Sequence, residues 1–304
     1  ENIPKLSFGC ASFGNKNAYG KINQSQANLL VYDAIYKYNI RYFDTSQYYG
    51  NSEIILGNAL DGINRNEYFI GTKVGRLDEI TSFSAKFIKD SVLRSLTNLQ
   101  LSYIDLVQLH DVEFGDINQI INEGLPQLQK LKEEGIIKNI GITGLHLDIL
   151  DDIIEKYDGK IDAILTYCNY GLNYDIEGNN KLSSKINKYI TKWKQKDIFI
   201  IQGGFTSMGL FTDKKLPHWH PCDSKTRKTC NKVKKICEKY NKSITKVAFQ
   251  YLFNMGDIST LLVGPNNIVE LDNYSNWIQS AEFLNKDLIN EITPLFKDFE
   301  LWVK

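Results

Sequence analysis

Short apolar or β-branched runs recur along the chain, each followed by a longer stretch with apolar residues at helical spacing. The runs are KLSFGC (5–10), RYFDT (41–45), YFIGTK (68–73), IDLVQLH (104–110), IKNIGIT (137–143), DAILTYC (162–168), IFIIQGG (198–204) and TLLVG (260–264). Continuous apolar character over this length suits strands buried on both faces, as in a parallel sheet; a half-buried strand would alternate. Between the runs, QANLLVYDAIYKY (26–38), AKFIKDSVLRSLTNLQL (85–101) and GLPQLQKLKEEG (124–135) read as helices, the last closed by Gly135 as its C-cap.

Eight such strands alternating with helices predict an α/β chain, a (β/α)8 TIM barrel built as a single domain over residues 1–304. An open doubly wound sheet is the rival. Its glycine fingerprint, G-x-G-x-x-G after the first strand, is absent, since that strand leads into GCASFGN. No Pro/Gly/Ser-rich linker divides the chain.

Charge and cysteine content narrow the class. Lysine plus arginine equals aspartate plus glutamate, 36 each, so the net charge is zero. Nucleic-acid and membrane-surface binders usually carry a basic excess, so neither partner is expected. The one basic stretch, SKTRKTCNKVKK (224–235), reads as a solvated helix face. Five scattered cysteines (10, 168, 222, 230, 237) are an odd number, which fits reduced thiols in a cytoplasmic protein. No apolar run is long enough to span a bilayer, and ENIPKLSFG does not read as a signal peptide.

In a barrel, chemistry gathers at the C-terminal ends of the strands. There the second, third and fourth strands end in Asp44, Lys73 and His110. Just beyond the second lie two tyrosines, Tyr48 and Tyr49. A free phenol titrates near 10, too high for proton transfer near neutrality. A neighbouring ammonium favours the phenolate, and a buried carboxylate would hold that ammonium charged. Asp44, Lys73, His110 and a tyrosine therefore suffice for proton transfer at a carbonyl or alcohol oxygen without a metal. PHWHPCD (217–223) offers His218, His220 and Cys222 as ligand types, but a structural zinc normally takes four protein ligands and no fourth is nearby. No metal is expected.

FDTSQYYGNSE (43–53), GTK (71–73), YIDLVQLH (103–110) and LKEEGIIKNIGIT (131–143) resemble the signature segments of the aldo-keto reductases, in the same order along almost the whole chain. The resemblance implies a catalytic tetrad of Asp44, Tyr49, Lys73 and His110, with Tyr49 the proton carrier because it stands five residues after the aspartate. It implies that Lys73 lowers the Tyr49 pKa and that Asp44 holds Lys73. HDVEFG (110–115), GITGLHLDIL (141–150), YCNYGLN (167–173), SMGLFT (207–212) and WHPCD (219–223) further resemble the L-galactose dehydrogenase branch, whose members oxidise an anomeric carbon to a lactone with NAD.

A nicotinamide dinucleotide would then lie across the barrel mouth, its carboxamide near Thr143 and Asn169. The family's usual Ser-Asn is Thr143-Gly144 here, so one amide contact is missing. Its usual stacking tyrosine after the seventh strand is Gly203, which leaves Phe205 or a neighbour to cover the ring. Gly209 and Leu210 follow in the same loop. The phosphates would meet Gly264, Asn267, Glu270 and Asn273, where backbone N–H groups and a helix dipole favour anions. Glu270 would repel a 2′-phosphate and accept from a free 2′-hydroxyl, which favours NAD over NADP. Tyr48, Asp111 and Trp219 are the substrate-side candidates for a sugar or aldehyde, Trp219 as a flat apolar wall. Two other readings stand beside this one: an NADPH-dependent aldehyde or carbonyl reductase, and a cofactor-binding regulatory subunit with little turnover.

Overall fold

The computed structural model describes residues 3–14, 22–173, 181–216, 220–254, 257–279 and 285–297. Eight strands form a ring: β1 (Leu6–Gly9), β2 (Tyr42–Asp44), β3 (Phe69–Val74), β4 (Ile104–Leu109), β5 (Ile137–Gly144), β6 (Ala163–Tyr167), β7 (Phe199–Gly203) and β8 (Thr260–Val263). Each pairs in parallel with its sequence neighbours, and β8 pairs with β1 to close the barrel. Every strand falls on one of the apolar runs, β3 and β5 each ending one residue beyond it, because both of its faces are covered. Side chains pointing inward meet as Tyr42, Leu106, Ala163, Leu165, Ile201 and Leu262; those pointing outward join the larger core under the helices.

Several of the helices that wrap the barrel start where a polar side chain accepts a free backbone N–H. Asn23 caps α1 (Gln24–Tyr36) and Ser84 caps α2 (Ala85–Leu99). The helix Leu125–Glu133 is followed by Gly135 at φ +76°, with Ile136 N–H bonded back to Leu131 O. The basic stretch lies in Ser224–Lys239, whose inward residues are Cys230, Val233 and Cys237. All five cysteines are buried and free. Among the described residues no helix is long and apolar enough to cross a membrane.

One buried acid fixes the wall on which the site stands. Thr72 and Lys73 are adjacent on β3, so they point to opposite faces. Thr72 points outward and donates to Glu53 Oε1 at 2.6 Å, which also accepts from Ser95 at 2.7 Å; Glu53 Oε2 accepts from Asn98 Nδ2 at 2.9 Å. Lys73 points inward, to the barrel mouth.

Candidate active site

Lys73 is buried to 2% exposure, and its ammonium donates to Asp44 Oδ1 and, at 3.0 Å, to Thr45 O. Taking both charges out of water is expensive unless their remaining hydrogen-bonding capacity is met. Asp44 Oδ2 is met by Gln108 Nε2 at 2.9 Å and the Tyr42 hydroxyl at 3.2 Å. Gln108 stands on β4 opposite Lys73, two residues before His110, so alternation aims its side chain at the same point. The four inward residues form one buried polar cluster under the mouth.

Beyond β2 the chain makes a short turn, Gln47–Tyr49. Ser46 caps it, accepting from Tyr48 N–H at 3.1 Å, and its Oγ lies 3.1 Å from His110 Nδ1. Gln47 turns into the core, donating to Ser95 Oγ at 2.7 Å and to Ser91 O. With that side chain anchored, the two tyrosines face the mouth. Both rings lie edge-on to His110, at 5.6 Å for Tyr48 and 5.8 Å for Tyr49. Tyr49 has the Lys73 ammonium 4.9 Å from its ring centroid, whereas Tyr48 has the Arg76 guanidinium at 4.4 Å. Arg76 also pairs with Asp111 and lies 4.5 Å from the Phe114 ring. Asp111 Oδ2 is 3.6 Å from His110 Nε2.

Protonation follows from burial and these neighbours. Burial disfavours the Lys73 ammonium, but Asp44 and Tyr49 outweigh it, so Lys73 is held charged above the usual lysine range. Burial drives His110 down to about 3; Asp111 opposes this, and Lys73 and Arg76 add to it, so the imidazole is neutral. For Tyr49 the net direction differs from the sequence expectation. Burial raises it, Lys73 pulls it back, and Asp44 and Asp111 raise it again, to about 12. Lys73 therefore acts in the expected direction without prevailing, and the resting group is a phenol.

Asp44 and Tyr49 line a cavity of about 180 Å³ between the ends of β1, β6, β7 and β8, together with Tyr167, Gly203, Phe205 and Gly264. A second cavity of about 460 Å³ holds Gly209, Lys214, Lys215, Gly264, Glu270 and Asn273. The two share Thr206, Met208, Gly264, Asn266 and Tyr274, so they form one trough running from the tyrosine to the loop after β8. Asn267 caps the helix Ile268–Gln279 by accepting from Glu270 N–H at 2.9 Å; Glu270 Oε2 accepts from Asn266 N–H at 2.9 Å. An elongated trough ending at a capped helix N-terminus fits a dinucleotide.

The other candidates fall in several places. Leu210 is buried in the core and lines neither cavity. Phe205 reaches the first cavity but packs edge-on against Phe249 and Tyr274. Thr143 Oγ1 accepts from Asp111 N–H at 2.9 Å. Asn169 donates to Leu145 O at 2.9 Å and Tyr167 O at 3.2 Å, which leaves its Oδ1 buried without a partner. Trp219 and His218 lie outside the described residues. His220 is held by Ser207 O at 2.9 Å and Cys222 N–H at 3.1 Å. Among the described residues no group of three His, Cys, Asp or Glu side chains could hold a metal.

The Aldo/keto reductase family model matches residues 5–293. The chain is an aldo-keto reductase. As such it is an oxidoreductase acting on carbonyl and alcohol groups. It is similar to L-galactose dehydrogenase of Arabidopsis thaliana, 34% identical over 290 residues that cover 94% of this chain and 87% of that one. It is also similar to D-arabinose 1-dehydrogenase of Saccharomyces cerevisiae, 34% identical over 284 residues, with 84% and 82% covered. A holo-form aldo-keto reductase from Bacillus halodurans has the same fold, with a TM-score of 0.76 at 22% identity, over 96% of this chain and 92% of that one.

Among the residues of this aldo-keto reductase site that escaped sequence reasoning are Gln108, Ser46, Arg76 and Lys214. Gln108 carried a usable signal, a polar residue at an inward position of an apolar strand. Ser46, Arg76 and Lys214 carried none, because each acts through a partner from another part of the chain. Lys214 reaches Glu270 Oε1 at 3.2 Å.

Proposed function

We propose that this aldo-keto reductase is an NAD-dependent aldose 1-dehydrogenase, with Asp44, Tyr49, Lys73 and His110 as its catalytic tetrad. The observation that carries the reading is the meeting of a phenol, a neutral imidazole and a buried lysine–carboxylate pair at one end of a trough of dinucleotide shape. The dehydrogenase names of the two relatives, both for sugars, support it.

When bound, the nicotinamide ring supplies the hydride acceptor. Tyr49, in its phenolate form, takes the proton of the anomeric hydroxyl. Lys73 stabilises that phenolate, and Asp44, with Gln108 and Tyr42 behind it, keeps Lys73 charged. The Ser46 hydroxyl, already accepting from Tyr48 N–H, donates to His110 Nδ1, which leaves the imidazole proton on Nε2 to orient the substrate oxygen. Loss of hydride and proton from a cyclic aldose gives a lactone. A third cavity of about 360 Å³, lined by Asp111, Glu113, Phe114, His146 and Tyr167, adjoins this point. Its carboxylates accept from hydroxyls and its exposed Phe114 offers a flat face, a combination suited to a polyhydroxylated ring. Tyr48 stands beside Arg76 as part of the same substrate-side wall.

Thr143, Asn169, Gly203, Phe205, Gly209, Gly264, Asn267, Glu270 and Asn273 remain the proposed cofactor side. Glu270 carries the preference for NAD, through repulsion of a 2′-phosphate. A second reading, NADPH-dependent carbonyl reduction, draws on Lys214 and Lys215 in the same cavity and on a Tyr49 phenol ready to donate. Steady-state rates with NAD and NADP test the two. The panel would include L-galactose, D-arabinose and pyridoxal for oxidation, and simple aldehydes for reduction. Turnover of aldoses with NAD supports the first reading; a clear NADP preference with aldehyde reduction overturns it in favour of the second.

A further inference from the structure

Tyr167 and Gly203 are register partners on β6 and β7. Leu165, two residues earlier on β6, belongs to the inward cluster, so Tyr167 also points into the barrel, one layer nearer the mouth. Its ring lies against the bare backbone of β7. A methyl group at Gly203 would meet Tyr167 Cδ2 and Leu165 Cδ2 at 3.4 Å, an ordinary contact, whereas one at Gly204 would crowd Cys168 Sγ at 2.8 Å and Tyr167 Cε2 at 2.9 Å. Gly204 has φ +70°, which independently favours glycine. The bare backbone of Gly204 thus seats the edge of one half-buried ring, and Gly203 lies beside it with no side chain. That ring lines the cavity holding Asp44 and Tyr49 and also the cavity holding Asp111 and Glu113, so it is the wall between them. Phe205, the other aromatic of the first cavity, is 4% exposed and already in edge contact with two core rings.

Resting on the cofactor reading above, we infer that Tyr167 provides the aromatic wall for the nicotinamide ring, supplied from β6 with Gly204 kept bare to seat it. The aromatic has moved one strand around the barrel within the same layer. Its hydroxyl is dispensable for this role, since the flat face does the work.

The test is calorimetric titration of NADH and NADPH into the wild-type chain and four variants. Tyr167→Ala and Tyr167→Leu should weaken binding of the preferred dinucleotide about three- to tenfold. The leucine variant keeps most of the buried volume, so folding loss is separable from loss of the aromatic face. Tyr167→Phe should bind as the wild type does. The double variant Gly203→Tyr/Tyr167→Ala, which returns an aromatic to β7 in the space vacated, should recover most of the affinity. Wild-type affinity in both the alanine and leucine variants overturns the inference and leaves Tyr167 a substrate-side wall. Absence of any NADH or NADPH binding by the wild type would instead overturn the cofactor reading itself.

Discussion

The ammonium of Lys73 lies 4.9 Å from the centre of the Tyr49 ring, and its other contacts, Asp44 and Thr45 O, hold it there. Tyr48, adjacent in sequence and equally edge-on to His110, has Arg76 in that place instead. The difference is why we propose the proton-carrying role for Tyr49, since only that phenol has a fixed buried cation beside it. Tyr49→Phe should lower kcat at least about 10²- to 10⁴-fold, the range for loss of a positioned acid–base group, with the dinucleotide dissociation constant unchanged. Tyr48→Phe should keep kcat within a few-fold, since its ring stays in contact with Arg76. Rates and binding titrations on both variants check this; the reverse pattern would move the role to Tyr48.

Lys73 and Asp44 also hold the floor of the barrel mouth together. Removing one member of a buried pair leaves the other uncompensated, at about 3–5 kcal/mol. Lys73→Met should therefore be both inactive and destabilised by that order, as read by chemical denaturation. Asp44→Asn should be milder, because the amide oxygen can still accept from Gln108 or Tyr42. Equal stability of Lys73→Met and wild type would mean that the pair contributes no net stabilisation.

The barrel was legible because strands covered on both faces must be apolar throughout, which periodicity detects without knowing partners. The meeting of the four polar residues at the mouth was legible because alternation forces strand-end residues such as Lys73 and His110 into it; their catalytic roles are the proposal. What sequence could not supply was the sum of opposing influences at one atom. Lys73 alone implies a lowered Tyr49 pKa; burial and the carboxylates of Asp44 and Asp111 reverse the net direction. Nor could it supply contacts made by register or by loops that meet only in the fold. Tyr167 lies beside Gly203 because β6 and β7 pair there, and Lys214 meets Glu270 because two loops converge. The sequence reading of Glu270 therefore left out the lysine that meets it in the cavity.

The backbone of Tyr49 is placed by an approach that has no room for a side chain. A methyl group at Gly14 would lie 1.6 Å from Tyr49 O and 2.6 Å from its carbonyl carbon. Gly14 has φ −75°, so space and not backbone conformation requires the glycine. Gly14→Ala must push the turn Gln47–Tyr49 away from the first strand loop. Displacing a catalytic group by about 1 Å costs on the order of 10²-fold in rate. The expected outcome is a fall of that size in kcat while every tetrad side chain is intact. A variant as active as wild type would show that the turn can move without moving the phenol.

The pH dependence of oxidation separates the two titrating members of the tetrad. Tyr49 must be ionised to accept the hydroxyl proton, and its pKa stands at about 12, so the active form is a small fraction near neutrality and grows as pH rises. The logarithm of kcat/KM for aldose oxidation should therefore climb with a slope approaching one between about pH 7 and 10, with no plateau in that range. His110 is held neutral down to about 3, so no inflection should appear near the ordinary histidine value of about 6.5. In the reverse direction the phenol is the donor, and the rate should stay level over the same range. Initial rates in both directions across overlapping buffers decide the matter. A plateau in oxidation beginning below about pH 8 would identify a base of lower pKa than Tyr49, and a bend near 6.5 would mean that His110 exchanges a proton with solvent during turnover.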